Sequence, residues 1–212
     1  MKVSTAFAGL VLAFALASPA SAVTTGSFDF TGPNQSLGAT EVFTDGSSGL
    51  SVLVSAFNPA APGATGSVGD ISQNGNGIGV ETSPENNRLA GGERLRFDFA
   101  PQKIVSTAAV VFENQEQDET FQLIVDGSVL DDFTILGSST APVSFDFTSL
   151  LAPLDTTYFE IRGTSPAASG NRGILIDSLT ATVIPVPPAI LGVISAFGLA
   201  FGVRRFARRA DA

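Results

Sequence analysis

Cysteine, histidine and tryptophan are absent from this 212-residue chain, and methionine and tyrosine occur once each. Without cysteine there is no disulfide framework, no thiolate nucleophile and no zinc–sulfur or iron–sulfur site. Without histidine there is no Ser–His–Asp triad, no imidazole general base and no histidine-ligated metal. Positive charge is scarce as well: 11 Lys and Arg stand against 20 Asp and Glu, a net charge of -9. Duplex binding needs a basic face that releases counterions, so nucleic acid is excluded as the expected partner. What the chain has in quantity is glycine (22), proline (12) and phenylalanine (17), in a sequence that is 44% hydrophobic and only 15% charged.

Both ends depart from the average. Residues 1–22 carry one basic residue, Lys2, then an apolar run from Ala6 to Ala17, then Ser18-Pro19-Ala20-Ser21-Ala22. Small residues at -3 and -1, Ala20 and Ala22, complete the three regions of a secretory signal peptide cut after Ala22. The run is too short to read as a first transmembrane helix.

At the other end, residues 185–212 open on Pro185, Val186, Pro187 and Pro188. The uncharged stretch Ala189–Val203 follows, then Arg204, Arg205, Arg208 and Arg209. Fifteen helical residues span about 22 Å, short of the roughly 30 Å hydrocarbon core. Starting the helix near Pro187 and ending it at Phe206, with arginines reaching to the headgroups, makes one C-terminal transmembrane helix the expectation. The basic cluster stays cytoplasmic and the preceding domain lies outside the membrane.

A proline motif, a short apolar helix and a terminal arginine cluster, in that order, resemble the PEP-CTERM class of bacterial sorting tails. With no Glu between the prolines, the closest form is the VPLPA-CTERM variant, here Ile184-Pro185-Val186-Pro187-Pro188-Ala189. The resemblance implies recognition by an exosortase-type processing enzyme that cleaves near the proline motif. It also implies a transient anchor in the inner membrane and delivery to the cell surface or the extracellular matrix.

Between these ends lie residues 23–184, with 19 acidic and six basic side chains, net -13. The whole-chain charge therefore averages a basic delivery apparatus with a strongly acidic cargo. A segment of 162 residues can bury one core and reads as a single domain. Ser27–Thr31, Arg94–Phe99 and Val143–Phe147 alternate with period two. Leu50–Phe57, Ile104–Phe112, Tyr158–Arg162 and Ile174–Val183 are β-branched or aromatic runs. Phe121–Val125, Asp126-Gly127 and Ser128–Leu130 spell a hairpin with a type I′ turn. Eight to ten short strands in one domain predict an all-β sandwich, jelly-roll-like, with phenylalanine supplying most of the core. Gly77–Val80, an Asn-rich loop, Gly92–Phe99, Val110–Phe112 and Phe121–Gly127 are also similar in order to many PEP-CTERM surface domains. That likeness implies a fold and a location but no reaction.

Candidate chemistry is sparse. Residues 70–81 fit a twelve-residue calcium loop, with oxygens at positions 1, 3 and 5 (Asp70, Ser72, Asn74), Gly75 at 6 and Glu81 at 12. The alternative is a Gly/Asn loop leading into a strand, since neither flank looks helical. A second calcium reading pairs Asp177 on the last strand with Asp29, by analogy with jelly-roll carbohydrate modules. Glu113, Glu116, Asp118 and Glu119 could contain a glycosidase pair, or simply form a solvated acidic loop. Arg94 and Arg96 share one strand face and are expected to make surface pairs with neighbouring acids. The glycines at 75, 77 and 79 lack the following helix and lysine of a phosphate loop.

Two function classes follow. One is a non-enzymatic exported surface or matrix protein, delivered by the sorting tail and associated with exopolysaccharide. The alternative is a secreted carbohydrate-binding or carbohydrate-active module built on a calcium-stabilised jelly roll. Sugar platforms usually need exposed aromatics, and a chain with no Trp and one Tyr offers few.

Overall fold

Alternating polar and apolar residues give the chain a run of half-buried strands. In β4 (Ser51–Phe57), for example, Val52, Val54 and Ala56 are buried while Leu53 lies open to solvent. The computed structural model describes residues 22–59, 68–81, 88–99, 103–113, 118–137, 141–166 and 173–185. Residues 1–21, which hold all of the expected signal peptide but Ala22, and residues 186–212 of the expected sorting tail lie outside the described residues.

Thirteen strands and one helical turn make up those residues, more strands than the eight to ten expected. One sheet has seven strands. Across it run β11 (Val143–Asp146), β8 (Lys103–Phe112), β13 (Ile176–Pro185), β6 (Gly77–Glu81), β5 (Asp70–Asn74) and β2 (Gln35–Gly38), with β1 (Thr24–Asp29) also on β13. The six-stranded sheet runs β10 (Ser128–Ile135), β9 (Glu119–Val125), β12 (Tyr158–Gly163), β7 (Arg94–Phe99), β4 and β3 (Thr40–Thr44). Every pairing is antiparallel. The protein is all-β: two antiparallel sheets packed as a sandwich. The single turn of helix α1 (Thr148–Leu151) buries Leu151 against the core.

Chain continuity ties the two sheets together at both edges. Edge strand β2 passes into edge strand β3 of the other sheet through Ala39 alone, and Gly38 at φ 80 turns that corner. On the opposite side β10 leads directly to β11, again from one sheet's edge to the other's. The expected type I′ hairpin is present between β9 and β10, with Asp126 at φ 50 and Gly127 at φ 76.

Phenylalanine fills the space between the sheets. Rings meet across it at Phe28–Phe99 (6.2 Å) and Phe112–Phe121 (4.5 Å), and Phe121 also stacks on Phe133 at 4.9 Å. Of the twelve phenylalanines in residues 23–184, eleven belong to the core or pack against it. Phe57 is the exception.

Four strands came from segments that carry little apolar patterning: β2, β3, β5 and β6. Side-chain hydrogen bonding holds the first and third in place. Gln73 is buried, donates from Nε2 to the Phe30 carbonyl at 3.0 Å, and accepts Gln35 Nε2 at 2.8 Å. This amide closes the gap where the chain leaves β1 and passes β5.

Candidate functional site

Strand pairing decides where each candidate side chain lies. Residues 70–81 form the β5–β6 hairpin, with Asp70 opposite Glu81, Ser72 opposite Gly79 and Asn74 opposite Gly77. Asp70 and Glu81 meet at its open end, both exposed. Ser72 and Asn74 are not brought to them, because an extended strand advances about 6.8 Å for every two residues. Calcium needs its oxygens together at about 2.3–2.6 Å. Ser72 is buried, and the Asn74 Oδ1 accepts the Asn76 N–H at 2.8 Å inside the turn.

Asp29 pairs with Ser178, the residue after Asp177. Its Oδ1 takes both the backbone N–H and the hydroxyl of Thr31, at 2.9 and 2.7 Å. Asp177 sits at a bulge in β13 and lies near enough to Glu113 to raise its carboxyl further. Burial is the larger cause of that rise, and Arg88, ion-paired to Glu113 at 2.9 Å, opposes it. Among the described residues no three Asp or Glu side chains are grouped to hold a metal ion.

Of the acidic run, the described residues are Glu113, Asp118, which is exposed, and Glu119. Glu119 opens β9 with 1% exposure, Glu113 is engaged with Arg88, and Asp118 accepts the Gly137 N–H at 2.8 Å. Glu116 lies outside the described residues. Of the residues expected to serve sorting and cleavage, Ala22 is exposed two residues before β1, and Pro185 closes β13 opposite Lys103. Ala20, Val186, Pro187, Pro188, Ala189, Arg204, Arg205, Arg208 and Arg209 lie outside the described residues, as does the apolar stretch between the last two groups. Among the described residues no helix is long and apolar enough to cross a membrane.

The most organised set of charged and aromatic side chains lies on the outer face of the six-stranded sheet. In β7, Leu95, Phe97 and Phe99 point into the core, so Arg94, Arg96 and Asp98 point away from it. In β12, Phe159 and Ile161 point inward, which sends Tyr158, Glu160 and Arg162 to the same outer face. Register then aligns Arg96 with Glu160, Arg94 with Arg162, and Asp98 with Tyr158. On the flanking strands Phe57 lies opposite Arg94, and Gln122 lies opposite Arg162.

The pairing expected for Arg94 and Arg96 is present, but it is not a surface pair. Arg94 and Glu160 are both fully buried, with Arg94 Nε 3.2 Å from Glu160 Oε2. Arg96 Nε donates to Glu160 Oε1 at 2.8 Å and remains partly exposed. The Arg96 guanidinium lies 5.4 Å from the Phe57 ring centre and 4.5 Å from that of Tyr158, and Arg94 lies 5.0 Å from Phe57. Burial raises the Asp98 carboxyl above its ordinary range, and Arg96 partly offsets it. Burial also raises the Tyr158 hydroxyl, helped by its hydrogen bond to Asp126.

Sequence reasoning identified the two arginines but missed their acid, Glu160, and both aromatic neighbours. A signal was present in the alternation of Tyr158–Arg162, which sends Glu160 outward. The register that brings it to Arg96, 64 residues away in sequence, was not visible. No family model, curated protein or solved structure matches the chain.

Proposed function

We propose that the chain is a non-enzymatic, exported bacterial surface or extracellular-matrix protein, processed through its C-terminal sorting tail and associated with exopolysaccharide. One observation carries this reading. A signal peptide ending at Ala22 and a tail of proline motif, apolar helix and arginine cluster bracket a single acidic β-domain. The described strands run from Thr24 to Pro185, so the exported fold fits between the two proposed processing points.

In this reading residues 1–22 are removed, residues 189–203 hold the chain briefly in the inner membrane, and an exosortase-type enzyme acts near Pro185–Ala189. The sandwich belongs to the jelly-roll kind, a reading supported by the repeated crossing of successive strands between the two sheets. Of the two carboxyls raised above their ordinary range, Asp98 lies on β7 of the six-stranded sheet and Glu113 just past the end of β8 in the seven-stranded one. That separation favours a binding or structural role over the facing pair that glycoside hydrolysis uses.

Mass spectrometry of the mature protein from native cells tests the reading. The expected N-terminus is Val23, and the expected C-terminus lies at or near the proline motif, with the arginine cluster gone. A surface protein that still carries Met1 or Arg209 would overturn it.

A further inference from the structure

We propose that Asn74, at the tip of the β5–β6 hairpin, is a site of spontaneous, backbone-assisted deamidation. It is converted to aspartate and isoaspartate while Asn76, two residues on, is spared. The proposal stands apart from the export reading and uses nothing of it.

By sequence the two sites are equal. Asn74-Gly75 and Asn76-Gly77 are the two Asn-Gly pairs of the chain. Such a pair reacts through its own backbone. The glycine N–H gives its proton to solvent, and the nitrogen attacks the asparagine Cγ. The new N–Cγ bond closes a succinimide ring, the Cγ–Nδ2 bond breaks, and ammonia leaves with a proton taken from water. Water then opens the ring at either carbonyl, giving aspartate or isoaspartate. Glycine suits the second position because no side chain crowds its nitrogen and its backbone turns freely.

The fold separates the two. Attack requires the peptide between asparagine and glycine to swing until its nitrogen reaches Cγ. For Asn76 that peptide enters Gly77, which is buried at φ 132 with its Cβ position 2.3 Å from the Ile176 carbonyl oxygen. Swinging it means displacing the start of β13. For Asn74 the peptide enters Gly75, which is exposed and has nothing within 4 Å of its Cβ position. Its motion gives up the last pair of the hairpin, Asn74 with Gly77, and the hydrogen bond from the Gly32 N–H to the Asn74 carbonyl at 2.9 Å. Both contacts lie at the open tip, and neither holds one sheet to the other.

The Asn74 amide is also activated. Its Oδ1 accepts the Asn76 N–H at 2.8 Å. Negative charge develops on that oxygen as the nitrogen attacks, and a donor already in place stabilises it. The same bond keeps the amide over the turn, on the side of the chain where the Gly75 nitrogen lies. The product carries a carboxyl group at position 74, and the isoaspartate form adds one methylene to the backbone at the end of β5.

The test is timed peptide mapping by mass spectrometry, on the full chain in mild detergent and on the same chain unfolded in urea, both at mildly alkaline pH. Each conversion adds about one mass unit, and fragmentation assigns it to Asn74 or Asn76. In urea the two sites are expected to convert at similar rates. In the folded chain Asn74 is expected to stay within about tenfold of its rate in urea, with Asn76 at least about tenfold slower than Asn74. Gly75→Ala is expected to slow Asn74 by about tenfold or more in both states. If that variant does not fold, its urea arm still tests the nucleophile and the parent chain tests the selection. Equal rates at the two sites in the folded chain, faster loss of Asn76, or an Asn74 slowed by folding as much as Asn76 would each overturn the proposal. So would an unchanged Asn74 rate in Gly75→Ala. None of these outcomes alters the mature termini measured above, so this site and the export reading fail separately.

Discussion

Glu160 lies directly across from Arg96 on the adjacent strand and takes its Nε–H at 2.8 Å, while its other oxygen faces Arg94 Nε at 3.2 Å. Neither Glu160 nor Arg94 has access to solvent. Taking two charges out of water is costly, and their attraction offsets that cost only while both remain. Glu160→Gln therefore leaves two guanidinium groups facing a neutral amide. The expected loss is about 3–5 kcal/mol of unfolding free energy, measured by urea titration. Replacing Arg94 and Glu160 together by Met and Leu is expected to lose less than Glu160→Gln alone, since the guanidinium left without Glu160 is then Arg96, which is partly exposed. A loss under about 1 kcal/mol for Glu160→Gln would contradict the buried pairing.

Phenylalanines on the two sides of the six-stranded sheet should behave differently. Phe121 meets Phe112, Phe133, Phe145 and Phe147 between the sheets, with centroid separations from 4.5 to 6.3 Å. Phe121→Ala opens a cavity there and is expected to cost about 3–5 kcal/mol. Phe57 faces outward under Arg94 and Arg96, so Phe57→Ala removes cation–π contact and some packing, about 1–2 kcal/mol. Equal losses in the same denaturation experiment would mean that Phe57 serves the core after all.

Two aspartates should give opposite responses to pH. Burial raises the Asp98 carboxyl, so the folded state binds its proton more tightly than the unfolded chain does. Stability from this group is therefore present at low pH and is lost as pH rises through the raised value. Asp45 is the reverse. The hydroxyl of Ser48 and the backbone N–H of Ser47 hold its carboxyl well below the usual carboxylate range. Its contribution is present above pH 3.8 and is lost as pH falls toward the depressed value. At neutral pH, Asp98→Asn is expected to raise the melting temperature and Asp45→Asn to lower it. Both differences should shrink as the solution is acidified, and thermal scans from neutral pH down to about 3 would check them. An Asp98→Asn variant that melts lower at neutral pH would show that attraction to Arg96 outweighs burial.

How far the fold was legible depended on whether a strand advertised itself through apolar alternation. Arg94–Phe99 did so completely, and its observed bounds coincide with the pattern. The Asp126-Gly127 turn was equally legible, because positive φ at two successive residues has few sequence solutions. The β5–β6 hairpin was not: its buried positions include Ser72, Gln73, Gly77 and Gly79, which carry no hydrophobic signal. Its polar residues at alternate positions read as a candidate calcium loop, and within that stretch Gln73 uses its amide to hold the neighbouring Phe30 carbonyl. The outer-face cluster was half legible for a related reason. Period two sends Arg94, Arg96, Glu160 and Arg162 outward, but only long-range register makes them neighbours, and only the tertiary structure buries Arg94.

The hairpin's attachment to the rest of the sheet rests on Gly77. Its φ of 132 suits glycine, and a Cβ built there would stand 2.3 Å from the Ile176 carbonyl oxygen. That carbonyl belongs to the start of β13, and the next residue, Ile78, is the one that pairs with Ile176. Neither backbone can yield without breaking this bridge, so Gly77→Ala must either part β6 from β13 or distort the turn. Gly75, two residues earlier in the same hairpin, has open space around its Cβ position and no positive φ, so it serves as the control. Gly77→Ala is expected to cost about 2 kcal/mol or more, and Gly75→Ala to stay within about 0.5 kcal/mol of the parent. Amide exchange should also speed up selectively in residues 70–81 of the Gly77 variant, since the hairpin would open ahead of the sandwich. Similar stabilities for the two variants would mean that β6 is not held against β13 in the way its register requires.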